Sequence, residues 1–126
     1  MIRYSYNQQI APPAPLVHVT IRSPHEETAV SETPGLLDTA ADITVLPARV
    51  AEELHLIPLD EIPIGGFDGH VTWVPTFLVQ LELRQCPPRM TRVVTSRDEP
   101  YVLLGRDVLN FHRVTLDGPQ LRLEIE

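Results

Sequence analysis

At 126 residues, with 43% hydrophobic and 21% charged side chains, the chain has the balance of one compact globular domain and little room for a second. Its single cysteine, Cys86, excludes an intrachain disulfide. The formal charge of −7, without any Lys/Arg cluster, argues against a surface that tracks nucleic-acid phosphates, and no apolar run approaches the ~20 residues needed to span a bilayer.

Met1 to Asn7 lack the apolar core of a signal peptide, which together with a free thiol points to a reducing, cytoplasmic setting. Residues 1–15 close on Ala11-Pro12-Pro13-Ala14-Pro15, which cannot occupy a central strand because proline has no N–H, so they read as an extension ahead of a domain over 16–126. Thirteen prolines and six glycines cut the rest into short pieces, and the pattern is mainly β. Leu16 to Arg22 is a strand with Val17, Val19 and Ile21 on one face. Ser23-Pro24-His25-Glu26 is a turn, roughly Glu27 to Ser31 a second strand, and Pro34-Gly35 a break. Gly35 to Asp38 enters a buried strand that ends on an acid. Pro47 suits the first turn of a short helix reaching Leu54, which shares a face with Val50. Ile62 to Ile64 and Val71 to Leu83 read as strands around the hairpin Gly65-Gly66-Phe67-Asp68-Gly69-His70. Thr91 to Thr95 is a strand, Tyr101 to Gly105 a buried one, and Arg106 to Phe111 a second short helix. Asp117-Gly118 signals a hairpin, and Gln120 to Glu126 a final strand alternating Leu121, Leu123 and Ile125 with polar residues.

Chemistry concentrates at Leu36-Leu37-Asp38-Thr39-Ala40-Ala41-Asp42. A carboxylate at the end of an apolar strand is costly to bury without partners, so it is either held by turn amides or it does chemical work. On this segment alone both readings stand. Other constellations are missing from the sequence. The five histidines show no HExxH or CxxC-type spacing, so no metal or other cofactor is expected. There is no Gly-x-Ser-x-Gly elbow, Cys86 has no paired base in view, and Gly65-Gly66 is followed by no Lys-Ser/Thr.

A second segment, Leu103-Leu104-Gly105-Arg106-Asp107-Val108-Leu109, repeats the order apolar strand, glycine, short helix. Taken with Leu37 to Asp42, Thr44-Val45-Leu46 and the glycine-rich hairpin between, the chain resembles the retropepsin family of single-domain aspartic proteases over roughly residues 16 to 126. The resemblance implies an all-β, closed-barrel acid-protease fold with one or two short helices, assembled as a homodimer that cleaves peptide or protein substrates. It implies that Asp38 supplies one carboxylate of a dyad, that Thr39 braces the two loops across the dimer axis, and that Ala40 lines the floor under the substrate backbone. Ala41 and Asp42 would bind substrate main chain, with Asp42 paired to a basic residue such as Arg106. Gly65, Gly66, Phe67, Asp68 and Gly69 would form a flap over the substrate, while Leu104, Gly105 and Arg106 support the loop from behind. Phe67 and Trp73 are candidates for contact with substrate, though aromatics beside a hairpin more often pack. The final strand would pair with the terminus of the other chain, and residues 1–15 would be an arm at that interface.

One residue departs from the family pattern: Ala40 stands where the family carries glycine. It motivates an alternative function, a catalytically weak or inactive member of the fold serving as a dimerisation or peptide-binding module.

Overall fold

A computed structural model of the chain describes residues 1–66 and 68–126. In chain order the elements are β1 (Ile2–Ser5), β2 (Leu16–Arg22), β3 (Val30–Leu37), β4 (Val45–Pro47), α1 (Ala48–Glu53), β5 (Glu61–Gly65), β6 (Val71–Pro75), β7 (Phe77–Leu83), β8 (Arg89–Ser96), β9 (Val102–Leu104), α2 (Arg106–Leu109), β10 (Val114–Asp117) and β11 (Arg122–Ile125). Six strands close into a barrel in the order β2-β3-β9-β4-β8-β7, which removes the sheet edges that invite aggregation. Two smaller sheets flank it, the three-stranded β1-β11-β10 and the β5-β6 hairpin. The fold is all-β with two short helices, as expected.

Alternation explains the barrel. Along β7, Phe77, Val79, Leu81 and Leu83 are buried while Leu78, Gln80 and Glu82 are half-buried. Val17, Val19 and Ile21 of β2 join them inside, with Leu46, Val50, Val93, Val102 and Leu104. Each such side chain contributes about 1.5–3 kcal/mol relative to exposure. Two glycines are demanded by close approach. A Cβ on Gly35 would lie 2.6 Å from a Val19 methyl, and one on Gly105 would lie 2.9 Å from the Ile43 carbonyl carbon.

Several expectations change. Pro34-Gly35 does not break the chain, because β3 runs through both and pairs with β2 from Val30 to Leu36. The parallel partner β9 covers only Gly35 to Leu37, so at Pro34 the strand is an edge on that side, where proline is tolerated. The long strand expected from Val71 to Leu83 is two strands. It breaks at the fully buried Thr76, whose N–H donates to the Asp60 carbonyl at 2.7 Å and whose hydroxyl donates to the Asp60 carboxylate. The last hairpin is longer than Asp117-Gly118 implied. The Gln120 N–H donates to the Asp117 carboxylate at 3.1 Å, Leu121 turns through φ 51°, and pairing resumes at Arg122.

The termini also differ from expectation. β11 does not present a free edge to another chain. It is the central strand of its sheet, antiparallel to β1 on one side and to β10 on the other. Ile2, Leu123 and Ile125 are buried there, so part of the 1–15 segment packs on its own chain, and the edges left open belong to β1 and β10. Among the described residues no helix is long and apolar enough to cross a membrane.

Candidate active site

The loop that carries Asp38 is built by two parallel strands. β3 and β9 pair in register from Gly35↔Val102 to Leu37↔Leu104. The ladder continues one step beyond the strands, where the Asp38 N–H donates to the Leu104 carbonyl at 3.0 Å. The chain then turns back on itself. The Ala40 N–H donates to Asp38 Oδ1 at 3.1 Å and the Ala41 N–H to the Asp38 carbonyl at 3.2 Å, a turn that aspartate favours because its short side chain reaches amides two residues on. Asp38 is half-buried, while Thr39 and Ala40 are exposed. Among the described residues no hydrogen bond engages Asp38 Oδ2 or the Thr39 hydroxyl.

The Gly105 segment braces this loop from behind. Arg106 donates its backbone N–H to the Ala41 carbonyl at 2.9 Å and a guanidinium N–H from Nη1 to the Thr39 carbonyl at 2.7 Å. The expected Asp42–Arg106 ion pair is not formed. The guanidinium is committed to the loop backbone, and Asp42 is exposed without an ion pair among the described residues. Arg106 therefore meets the Asp38 loop at its main-chain carbonyls, Leu104 accepts from the Asp38 N–H, and Gly105 donates to the Thr44 hydroxyl.

Sequence reasoning gave no role to the two residues that lock the loop to the barrel. Thr44 is fully buried; its N–H donates to Asp107 Oδ2 at 3.0 Å and its hydroxyl to Asp107 Oδ1 at 2.7 Å, while the same hydroxyl accepts from the Gly105 N–H at 3.1 Å. A polar residue within the apolar run Ile43-Thr44-Val45-Leu46 was the available signal, because a buried hydroxyl needs partners. The partner, 63 positions away in sequence, carried none.

The β5-β6 hairpin stands apart from the barrel sheet. Its register places Ile62, Ile64, Thr72 and Val74 on one face and Pro63, Val71 and Trp73 on the other. At its tip the Gly66 N–H donates to the His70 carbonyl and the His70 N–H to the Asp68 carboxylate, both at 3.0 Å. Gly69 adopts φ 80°, a conformation that favours glycine, whereas Gly65 has open space around it and is not sterically required. Phe67 lies outside the described residues. Trp73 is 62% exposed, so it does not pack within this chain. Among the described residues no hydrogen bond joins Gly65, Gly66, Asp68 or Gly69 to the Asp38 loop.

At the root of the hairpin, Asp60 accepts from the Thr76 hydroxyl and forms an ion pair with Arg92 of β8. Those two donors, Thr76 first, hold the Asp60 carboxyl below its ordinary value. No group of three or more His, Cys, Asp or Glu side chains among the described residues is placed to hold a metal ion.

A family model described as “gag-polyprotein putative aspartyl protease” matches residues 31–111, a span that contains the Asp38 loop, the hairpin and the Gly105 segment. Among solved structures, the EIAV protease complexed with the inhibitor HBY-793 has TM-score 0.62 and 25% identity, over 86% of this chain and 93% of that one. A retropepsin-like aspartic protease from Rickettsia conorii has TM-score 0.64 and 12% identity, over 97% and 86%. The Simian Foamy Virus (mac) protease has TM-score 0.56 and 18% identity, over 77% and 93%. The last two likenesses concern the fold. No curated protein matches the chain significantly.

Proposed function

The chain belongs to the gag-polyprotein aspartyl protease family, and from that premise we propose that it is an aspartic endopeptidase whose catalytic dyad is completed by a second copy. The observation that carries this reading is the half-open state of the Asp38 loop. One carboxylate oxygen is fixed by the Ala40 amide, the other is unengaged among the described residues, and Thr39 beside it is exposed. A single chain offers one such aspartate, so a twofold axis beside Thr39 would bring two Asp38 carboxylates together.

Two carboxylates at close range do not both ionise readily, so they share one proton and titrate as a pair; the aspartic proteases are the standard illustration of this coupling. The ionised Asp38 takes a proton from water as the oxygen attacks the scissile carbonyl carbon. The protonated Asp38 of the other copy gives its proton to the carbonyl oxygen. The resulting gem-diol collapses as the one protonated Asp38 gives its proton to the amide nitrogen, the other Asp38 carboxylate takes a proton from a diol hydroxyl, and the C–N bond breaks, leaving the dyad with its single shared proton. Ala40, Ala41 and Asp42 line the path of the substrate backbone. Gly65, Gly66, Asp68 and Gly69 belong to the flap that excludes water. Leu104, Gly105 and Arg106 hold the floor rigid through the bonds described above.

Ala40 in place of glycine favours no inactive geometry. It is not among the residues of positive φ, and its amide still reaches Asp38. The test is cleavage of denatured casein between about pH 3 and pH 8, with and without pepstatin. Asp38→Asn is expected to lower the rate by at least about 10²–10⁴-fold, the usual worth of acid–base participation. Cleavage that survives the substitution would sink the assignment. A dimeric wild-type protein without activity at any pH would point instead to a peptide-binding or dimerisation module.

A further inference from the structure

Beside the catalytic loop, on the side of α2, lies a cavity of about 590 Å3, within the ~300–1,000 Å3 of ordinary ligand pockets. Asp42 and Ile43 form its near wall, directly continuing the loop that begins at Asp38. Its body is apolar, with Leu81, Leu83, Val108 and Phe111 among the lining residues. Phe111 is 57% exposed, so the apolar surface reaches the mouth.

The charges around the cavity are unequally occupied. Asp107 is held by Thr44 and Arg92 by Asp60. Asp42 and Arg89 form no ion pair among the described residues. Arg89 stacks on an aromatic neighbour, its guanidinium lying 3.8 Å from the centre of the Phe111 ring. A guanidinium stacked on an aromatic face keeps its edge N–H groups free for a carboxylate, and little entropy remains to be lost on binding. The lining thus combines an acceptor, Asp42, four residues on from Asp38, with apolar side chains and a cation stacked on Phe111. A carboxylate would find that cation on a chain whose overall charge is −7.

We propose that this cavity is an accessory subsite for the substrate polypeptide, taking a stretch of apolar residues followed by an acidic one, outside the segment that is cut. The inference rests on the endopeptidase reading given above and narrows its substrate class to proteins that carry an apolar–acidic segment beside the scissile region. Main-chain N–H groups leaving the active site pass Asp42, apolar side chains enter between Leu81 and Val108, and the carboxylate ends on Arg89.

The test separates binding from cleavage. Cys86, the chain's one thiol, lines the cavity and reports its occupancy through alkylation by iodoacetamide. In the Asp38→Asn protein, acetyl-Leu-Leu-Phe-Glu-amide is expected to slow alkylation by 1 + [L]/Kd, roughly tenfold at about 10 mM for a millimolar site. The same peptide ending in Lys should protect far less, and Arg89→Glu should reverse the preference. Equal protection by both peptides, or by neither, overturns the proposal, whether or not the wild-type enzyme proves active. In the active enzyme, a cleavable peptide extended with the Glu segment should show a lower KM at unchanged kcat, and Arg89→Ala should erase that gain while leaving unextended peptides unaffected. The free Glu peptide should inhibit cleavage of the extended substrate competitively; activation by it would mark an effector site and overturn the assignment to substrate.

Discussion

The residues that shape the Asp38 loop are mostly small or polar, and most of their work is done through the backbone. Thr44 shows it best. One hydroxyl donates to Asp107 and accepts from Gly105, tying the loop after Asp38 to the segment before α2. Thr44→Val keeps the shape and strands both partners, a buried N–H and a carboxylate oxygen, so a loss of about 1–3 kcal/mol is expected in urea unfolding, with a parallel fall in activity. Ala40 makes a contrasting case. Its backbone tolerates a side chain, so Ala40→Gly should lower stability by only about 0.4–1 kcal/mol, through the greater freedom of the unfolded chain. Activity of that variant should stay within about tenfold of wild type, a change of no more than ~1.4 kcal/mol in the barrier; a much larger gain in kcat/KM would show that the methyl crowds the substrate. At this scale the sequence made Asp38, Gly105 and Arg106 conspicuous, because strand, glycine and helix signals surround them. It could not direct Arg106 to the Thr39 carbonyl rather than to Asp42, since a guanidinium chooses among nearby acceptors by geometry that no spacing records.

At the scale of elements, the β5-β6 hairpin is hung from the barrel by one small cluster. Asp60 accepts from Thr76 at the hairpin's root and pairs with Arg92 on β8. Because these donors hold the folded carboxyl below the ordinary aspartate value of 3.8, the charged form is favoured in the native state. The stabilisation is therefore fully present above that value and disappears as pH falls through the lowered folded one. Melting the wild type and Asp60→Asn side by side should show a constant difference from about pH 7 to pH 5 that narrows below about pH 4; a difference that widens in acid would contradict the cluster's role. The hairpin itself was legible from Gly65 to His70, and β2 was legible to the residue, because Val17, Val19 and Ile21 alternate in sequence with His18, Thr20 and Arg22. Two of the departures share a cause: the strand runs through Pro34 and breaks at Thr76, because whether a proline or a threonine ends a strand depends on which neighbour lies alongside, a property of the assembled sheet.

At the scale of the whole molecule, charge opposes assembly. Two copies that each carry −7 repel one another, and salt screens that repulsion over a distance of about 10 Å at 0.1 M. If two copies pair as proposed, sedimentation at about 20 mM and about 200 mM salt should show the association tightening at the higher concentration; weakening would mean that attraction between charges, not apolar contact, joins the copies. The barrel's closure was implied by the family resemblance and is present, but the pairing of the termini was not foreseeable, because β1 and β11 lie at opposite ends of the chain. That pairing bears on supply and demand in a cell. With β11 flanked on both sides by strands of its own chain, a copy needs no donated strand to finish folding. If two copies make the enzyme, newly made chains accumulate as finished but idle halves, and turnover at low abundance rises with the square of their number. Timing would then be set by expression and confinement, with no refolding step to delay it.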